Sequence, residues 1–410
     1  MKILVLGAGG QGAPCASILS KDPEVLEVKL CDIDMELLQK VKDKINHPKI
    51  KIKNLDASEE DAIIKESEGM DAIIDLSPPS FFPTVMKAAY LAKVHYVNTA
   101  WEEAMFEKYD EQGVKLGDKV KLHDEFVKSD LTAVLGCGMS SGYATNVLAR
   151  HYVDKLDTVE RIKIRLGKKD TVYNDEEEIL SPWNPGWNPR TALLDFIVDS
   201  YKFENGEFVK IEGAFAEPEM WDFPEPVGRM LVTHHAHEEP FSLPFSFADK
   251  GLKYCDFKYY ANKQVAPIVA LGLGSREKIK VSGVEISPID VVMALVPKSQ
   301  NAFLNEDPSK FKELDETKHV SIELEIKGVK NKKEITYRIH VPNMNAPRQQ
   351  LYDIYGTSLI AVALPAVIGA KMAIEGTKKG VIAPQDMDSN RFIELMSQSG
   401  FEHRWQETLI

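Results

Sequence analysis

Through the first third of the chain, short unbroken apolar runs alternate with stretches in which apolar residues recur every three or four positions. The first pattern marks buried strands and the second amphipathic helices. Lys2-Ile3-Leu4-Val5-Leu6 is a strand; Cys15, Ala16, Ile18 and Leu19 then follow helical spacing. Further strands are predicted at residues 28–31, 50–56, 71–76, 95–98 and 131–135. Helices are predicted over 59–66 and 82–92, with a long amphipathic one ending near Lys128. Such alternation builds a parallel sheet covered by helices on both faces.

Beyond residue 135 the grammar changes. A helix is expected over 143–152, and residues 158–166 alternate like a half-buried strand. Glu204-Asn205-Gly206-Glu207 carries a hairpin signal. Strands are expected at 252–260, 277–281 and 320–326, the last pairing with 334–341 across a Lys-rich turn. The fold class is therefore α/β: an N-terminal Rossmann domain (1–138), then a second α+β domain with a largely antiparallel sheet (139–346). A C-terminal helical segment (347–410) follows. Its apolar stretch, 358–370, is interrupted by Pro365 and closed by Lys371, short of the roughly 20 residues a membrane span needs.

The turn after the first strand reads Gly7-Ala8-Gly9-Gly10-Gln11-Gly12. Strand, glycine turn and helix in immediate succession form a dinucleotide fingerprint. Gly7 permits the turn, Gly9 lets backbone approach a pyrophosphate, and Gly12 lets helix and strand pack closely. Gly10 and Gln11 complete the loop, and the helix N-terminus offers free N–H groups to phosphate. Asp32 ends the second strand 20 residues after Gly12, where a carboxylate accepts from the adenosine ribose hydroxyls. It would repel a 2′-phosphate, and no basic residue follows until Lys40. NAD is expected and NADP disfavoured. Asp34 is a second ribose candidate, read first as a helix cap. The remaining strand ends bring Asp56, Ser77, Pro78, Asn98, Thr99 and Gly138 to the same cleft.

A net charge of −13 argues against nucleic acid and anionic membranes as partners. Four cysteines without metal-type spacing, and a first strand starting at residue 2, fit a cytoplasmic protein with reduced thiols. A homodimer acting on a small molecule is expected.

Several segments resemble the saccharopine dehydrogenase family, which includes saccharopine reductases, carboxynorspermidine dehydrogenases and lysine 6-dehydrogenases. Leu76-Ser77-Pro78-Pro79 and the stretch from Met86 through His95-Tyr96-Val97-Asn98-Thr99 are similar to its fourth-to-fifth-strand unit. His237-Glu238-Glu239 matches its His-(Asp/Glu)-Glu motif, and Tyr355-Gly356-Thr357-Ser358 with Gly380-Val381-Ile382 its C-terminal helix and tail. Gly136-Cys137-Gly138-Met139-Ser140-Ser141-Gly142 occupies the place of a glycine-rich loop but lacks the family's Asp-Pro, and the segment from Trp183 to Arg190 matches no branch. The resemblance implies NAD(P)-dependent amine–imine interconversion at the CH–NH group of an amino acid or carboxy-polyamine. It also implies that the C-terminal segment returns to the nucleotide domain. Reductive condensation of an aldehyde with a diamine and a non-catalytic NAD sensor stay open as alternatives.

Three groups of residues could serve that chemistry. In His234-His235-Ala236-His237-Glu238-Glu239, strand alternation would place His235, His237 and Glu239 on one face as catalytic groups, imidazole titrating near neutrality. A metal site is the rival reading; the chemistry needs none, and no metal is assigned. Trp183, Trp187 and Arg190 form a possible pocket lip, with Arg190 gripping a carboxylate. Ser140 and Ser141 either bind substrate at a helix N-terminus or merely cap it.

Overall fold

The computed structural model describes residues 1–107, 119–172, 183, 185, 188–296, 301–342, 346–400 and 403–409. Six strands open the chain: β1 (Lys2–Leu6), β2 (Glu27–Asp32), β3 (Ile50–Asn54), β4 (Ala72–Asp75), β5 (His95–Asn98) and β6 (Thr132–Val134). All pair in parallel, in the order β6-β5-β4-β1-β2-β3. The chain order reverses between β1 and β4, so a crevice opens there beyond the strand carboxyl ends. The residues of β1 and β4 after Lys2 are buried on both faces, as unbroken apolar runs require. Of the expected long helix, His123–Lys128 is observed; residues 108–118 lie outside the described part.

The second domain carries β7 (Thr158–Asp170), β8 (Ser200–Glu204), β9 (Glu207–Ile211), β10 (Glu219–Asp222), β11 (Arg229–His234), β12 (Tyr254–Tyr260), β13 (Ile279–Val281), β14 (Val284–Ile286), β15 (Lys318–Lys330) and β16 (Lys333–Pro342). β8 and β9 meet across the Asn205-Gly206 turn read from the sequence. The long strands pair antiparallel, except β12 beside β7, which is parallel. One sheet face is apolar: Ile162 and Ile164 of β7, Ile322, Leu324 and Ile326 of β15, and Ile335 and Ile339 of β16 are all buried. The opposite face is charged. There the fully buried Arg165 guanidinium grips both Asp256 oxygens at 2.8 and 2.9 Å and Glu219 at 2.8 Å.

The chain then recrosses. β17 (Gly380–Ile382) pairs in parallel with β6, completing a seven-stranded sheet, and the apolar helix Ala363–Glu375 packs across β4, β5 and β6. That helix begins at 363 rather than 358; ahead of it the Ser358 N–H and hydroxyl both donate to Glu306, at 2.7 and 2.5 Å. The expectation of a purely helical C-terminal segment is also amended. β18 (Arg404–Leu409) pairs with the outer edge of β16 in the other sheet, covering backbone groups an edge strand would expose. All four cysteines are buried and unpaired, and no described helix is long and apolar enough to cross a membrane.

Candidate active site

The nucleotide half of the cleft is made almost wholly of backbone. Gly7 adopts φ +97°, and a Cβ there would lie 2.6 Å from the Leu76 carbonyl oxygen; one on Gly12 would lie 1.7 Å from that of Gly7. These two positions admit no side chain. Around Gly9 and Gly10, by contrast, a Cβ would meet nothing within 4 Å. The loop is thus tight against the protein and open toward the cleft at the N-terminus of helix Gly12–Lys21, a cradle that fits a pyrophosphate. Gln11 stands at the N-cap of that helix without a side-chain cap bond.

Asp32 lies at the end of β2 and fastens the loop. Its Oδ2 accepts from the Ala8 N–H at 2.7 Å, and its Oδ1 from the Asp34 N–H at 2.9 Å. Asp34 caps helix Met35–Ile45, accepting from the Leu37 N–H. Asp56 accepts from both the N–H and hydroxyl of Ser58, which lower its pKa. Behind Ser77 and Pro78, the Asp75 carboxyl is buried and raised to about 6 by that burial, against hydrogen bonds from Ser77 and Tyr96. Asn98 turns inward: its amide donates to the Tyr96 hydroxyl and its Oδ1 accepts from the Gly136 N–H at 2.9 Å. The Asn98 side chain therefore ties the ends of β5 and β6 together. Thr99 and Gly138 lie close by, a Cβ on Gly138 falling 3.6 Å from Thr99.

Opposite this loop, side chains from distant segments converge. Glu239, fully buried, accepts from His237 Nδ1 on one oxygen and from the Ser140 hydroxyl on the other at 3.1 Å. The Thr145 hydroxyl, which donates to Asn146 at 2.9 Å, lies beside Glu239 and helps keep its pKa low. Glu238 accepts from the Trp101 N–H at 3.0 Å and lies 3.4 Å from His237 Nδ1. Trp101 follows β5 and Ser140 follows β6, so these contacts bind the second domain to the carboxyl ends of the nucleotide-domain strands. The His237 ring stacks on Phe257 at 3.9 Å.

Burial alone would push His237 down. Glu239, with Glu238 and Asp195 behind it, more than reverses this and raises the imidazole to about 9. Burial likewise opposes the Glu239 charge, but His237 and hydrogen bonds hold its pKa low. Glu238 is raised by burial and by Glu239 beside it. Asp195 is raised to about 7 by burial, with Glu238 adding. His235, 8% exposed, is lowered to about 3 by burial and then by the His237 charge. Two histidines with rings 6.2 Å apart thus carry different charges at neutral pH.

The local backbone differs from a continued strand. β11 ends at His234, and Glu239 opens helix Glu239–Phe247. His237 and Glu239 meet because the chain turns, not because alternation aligns them. His235 points into the aromatic rings of Phe196 and Tyr259, each 4.8 Å away. The two serines do not cap a helix. Ser141 donates to the Gly136 carbonyl at 3.3 Å, and the Gly142 N–H is satisfied by Asn146. Cys137, raised by burial, packs beneath Gly369.

Of the aromatic lip, Trp183 and Arg190 are described. Trp183 is 9% exposed and packs with Leu193, Phe196 and Ile289. Arg190, half exposed, pairs with Asp290, and Trp187 lies outside the described residues. Asp195, Trp101, Thr145 and Phe257 escaped the sequence reading, since each is one of many such residues in the chain. Glu238 was visible within its motif but not separable from its neighbours. His237, Glu238 and Glu239 also have ligand atoms within 4.8 Å of one another, close enough to surround an ion.

Residues 3–134 match the saccharopine dehydrogenase NADP binding domain, and residues 134–401 the saccharopine dehydrogenase C-terminal domain. A carboxynorspermidine synthase of Vibrio alginolyticus is 24% identical, over 99% of this chain and 97% of its own. A carboxyaminopropylagmatine dehydrogenase of Synechocystis sp. is 22% identical, over 100% of this chain and 98% of its own. Among solved structures, apo saccharopine dehydrogenase (L-Glu forming) of Saccharomyces cerevisiae superposes with a TM-score of 0.68 over 99% of each chain, at 15% identity. That last likeness is one of fold.

Proposed function

Because the chain belongs to the saccharopine dehydrogenase family of NAD(P)-dependent oxidoreductases, we propose that it interconverts amine and imine at the CH–NH group of an amino acid or carboxy-polyamine. One observation carries this reading. The acid–base cluster of His237 with Glu239 is hydrogen-bonded to Ser140, at the carboxyl end of β6, beside the cleft that the glycine loop opens. Bound nicotinamide supplies the two-electron acceptor or donor for the interconversion.

The chain's own part is to hold the amine and manage its proton. With Nδ1 committed to Glu239, Nε2 is the His237 atom left to exchange a proton with substrate nitrogen. The raised pKa keeps that imidazole charged at neutrality, so it is a ready donor when imine becomes amine. Phe257 fixes the ring plane. Around this one cation stand three carboxyl groups, Asp195, Glu238 and Glu239. An ammonium-bearing substrate would offset the burial and neighbouring negative charge that raise Asp195 and Glu238. The acid surplus, with the names of the two relatives, favours a polyamine-type amine, and reductive condensation of an aldehyde with a diamine is the direction we favour. No metal is assigned, since the proton transfer requires none.

NAD is the proposed cofactor, although the matching domain description names NADP. Asp32 puts a carboxylate where the ribose hydroxyls are expected, and a 2′-phosphate would meet like charge. Gly9 and Gly10 would hold the pyrophosphate, with Gly7 and Gly12 shaping the turn, and Ser77, Pro78, Thr99 and Gly138 along the nicotinamide side. Incubating the protein and NAD with amino acids and carboxy-polyamines, or NADH with aldehyde and diamine pairs, tests the reading by the change in reduced nicotinamide. A complete panel without turnover, alongside demonstrable NAD binding, would favour the non-catalytic sensor.

A further inference from the structure

The phosphate loop is touched from outside its own domain. Asn301, about 290 residues downstream, donates from its side-chain amide to the Ala8 carbonyl at 3.2 Å, while its Oδ1 accepts from the Leu304 N–H at 3.3 Å. The second bond fixes which end of the amide faces the loop. Asn301 is itself firmly seated. Phe303, fully buried, joins the large apolar core, Lys44 donates to the Phe303 and Leu304 carbonyls and lies over the Phe303 ring, and Glu306 accepts from Ser358.

The Ala8 carbonyl shares one rigid plane with the Gly9 N–H, and in a trans peptide the two point in opposite directions. Holding the carbonyl therefore aims the N–H. On its other side, the Ala8 N–H is held by Asp32 at 2.7 Å. Ala8 is thus clamped at both of its peptide groups, and the Gly9 plane, flanked by open space, is set before any ligand arrives. We propose that Asn301 is a positioning residue for the cofactor: by fixing the Ala8 carbonyl it orients the Gly9 N–H toward the pyrophosphate. This rests on the dinucleotide-binding reading of the loop, not on the proton-transfer assignment.

The test is binding, not turnover. For Asn301→Ala, the Kd for NADH, read by nicotinamide fluorescence, rises about three- to tenfold, the worth of one hydrogen bond. The Kd for ADP, read by NADH displacement, rises by a similar factor, while adenosine, which lacks phosphate, displaces NADH as it does in wild type. Asn301→Asp, which sets a carboxylate against the carbonyl and near the phosphates, loses more than the alanine variant; Asn301→Gln recovers part of the loss. Wild-type NADH affinity in both Asn301→Ala and Asn301→Asp would overturn the proposal. So would an equal loss for adenosine and ADP, which marks a general loosening of the domain. Failure of wild-type protein to bind NADH at all would refute the underlying reading instead.

Discussion

The two walls of the cleft are built on different principles. The wall at residues 7–12 is backbone, set by glycines and one carboxylate, and nearly everything it needs lies within 32 residues of the start. The facing wall is side chains: His237 and Glu239 acquire their properties from Trp101, Ser140, Thr145, Asp195 and Phe257, which only the completed fold brings together. Binding a dinucleotide calls for fixed dipoles, and those are local. Moving a proton calls for a shifted pKa, and that requires burial and charges from several segments.

The sharpest way to break the contrast is within the glycine loop itself. Gly12→Ala forces a methyl to 1.7 Å from a backbone oxygen; it should cost about 3 kcal/mol or more of stability and abolish NADH binding. Gly9→Ala, with nothing nearby to strike, should melt as wild type yet bind NADH about tenfold more weakly, roughly 1.4 kcal/mol. Thermal melts with NADH titrations separate the two. If both variants melt and bind alike, the loop is not tight on one side and open on the other.

Charge at the loop gives a somewhat smaller effect. Asp32→Asn keeps an acceptor for the Ala8 N–H but removes the repulsion of a 2′-phosphate. Affinity for NAD should fall up to about tenfold, the difference of about 1 kcal/mol between a charged and a neutral hydrogen bond, while NADP gains, narrowing the ratio between them. A wild-type protein that already prefers NADP would contradict the cofactor assignment.

Titration sharpens the other wall. His237 is raised from 6.5 to about 9, so the stability its charge contributes is fully present below about pH 6.5 and is lost as pH climbs through 9. Asp195, raised from 3.8 to about 7, stays protonated in the fold where the unfolded chain has already ionised, so its cost to stability grows between about pH 4 and 7 and is constant above. Both act in one direction. The Tm should decline between pH 7 and 9, and Glu239→Gln should flatten the upper part of that decline by removing the partner that raises His237. A decline of equal steepness in the variant would show that His237 is not held by Glu239.

The smallest effect belongs to Arg190. Its pair with Asp290 is exposed on both sides, at 45% and 59%, so Arg190→Ala should change stability by less than about 1 kcal/mol. Turnover should be near wild type; a large rise in the substrate's KM would show that the site extends to the lip.

How much was legible in the sequence follows the same division. The parallel strands, the glycine turn and Asp32 could be read directly because a few consecutive residues decide each. His237 and Glu239 were found as a cluster, but for a geometric reason that does not hold: the strand stops at His234, and a helix start brings them together. Ser140 looked like a cap or a ligand group and is a hydrogen-bond donor to Glu239. Trp183, read as part of a lip, is 9% exposed and packs in an apolar cluster with Phe196. Asp195 and Trp101 gave no local signal, since their importance comes wholly from what tertiary packing sets beside them. The Asn301 contact spans 293 residues, beyond the reach of any pattern along the chain.

The measurement that bears most directly on this account sets NADH affinity beside turnover for His237→Ala, using the aldehyde and diamine pair that wild type turns over best. If one wall binds the cofactor and the other moves the proton, the variant binds NADH as wild type does while kcat falls by about 100-fold or more. A kcat within tenfold of wild type, or a loss of NADH affinity that accounts for the fall in rate, would contradict it.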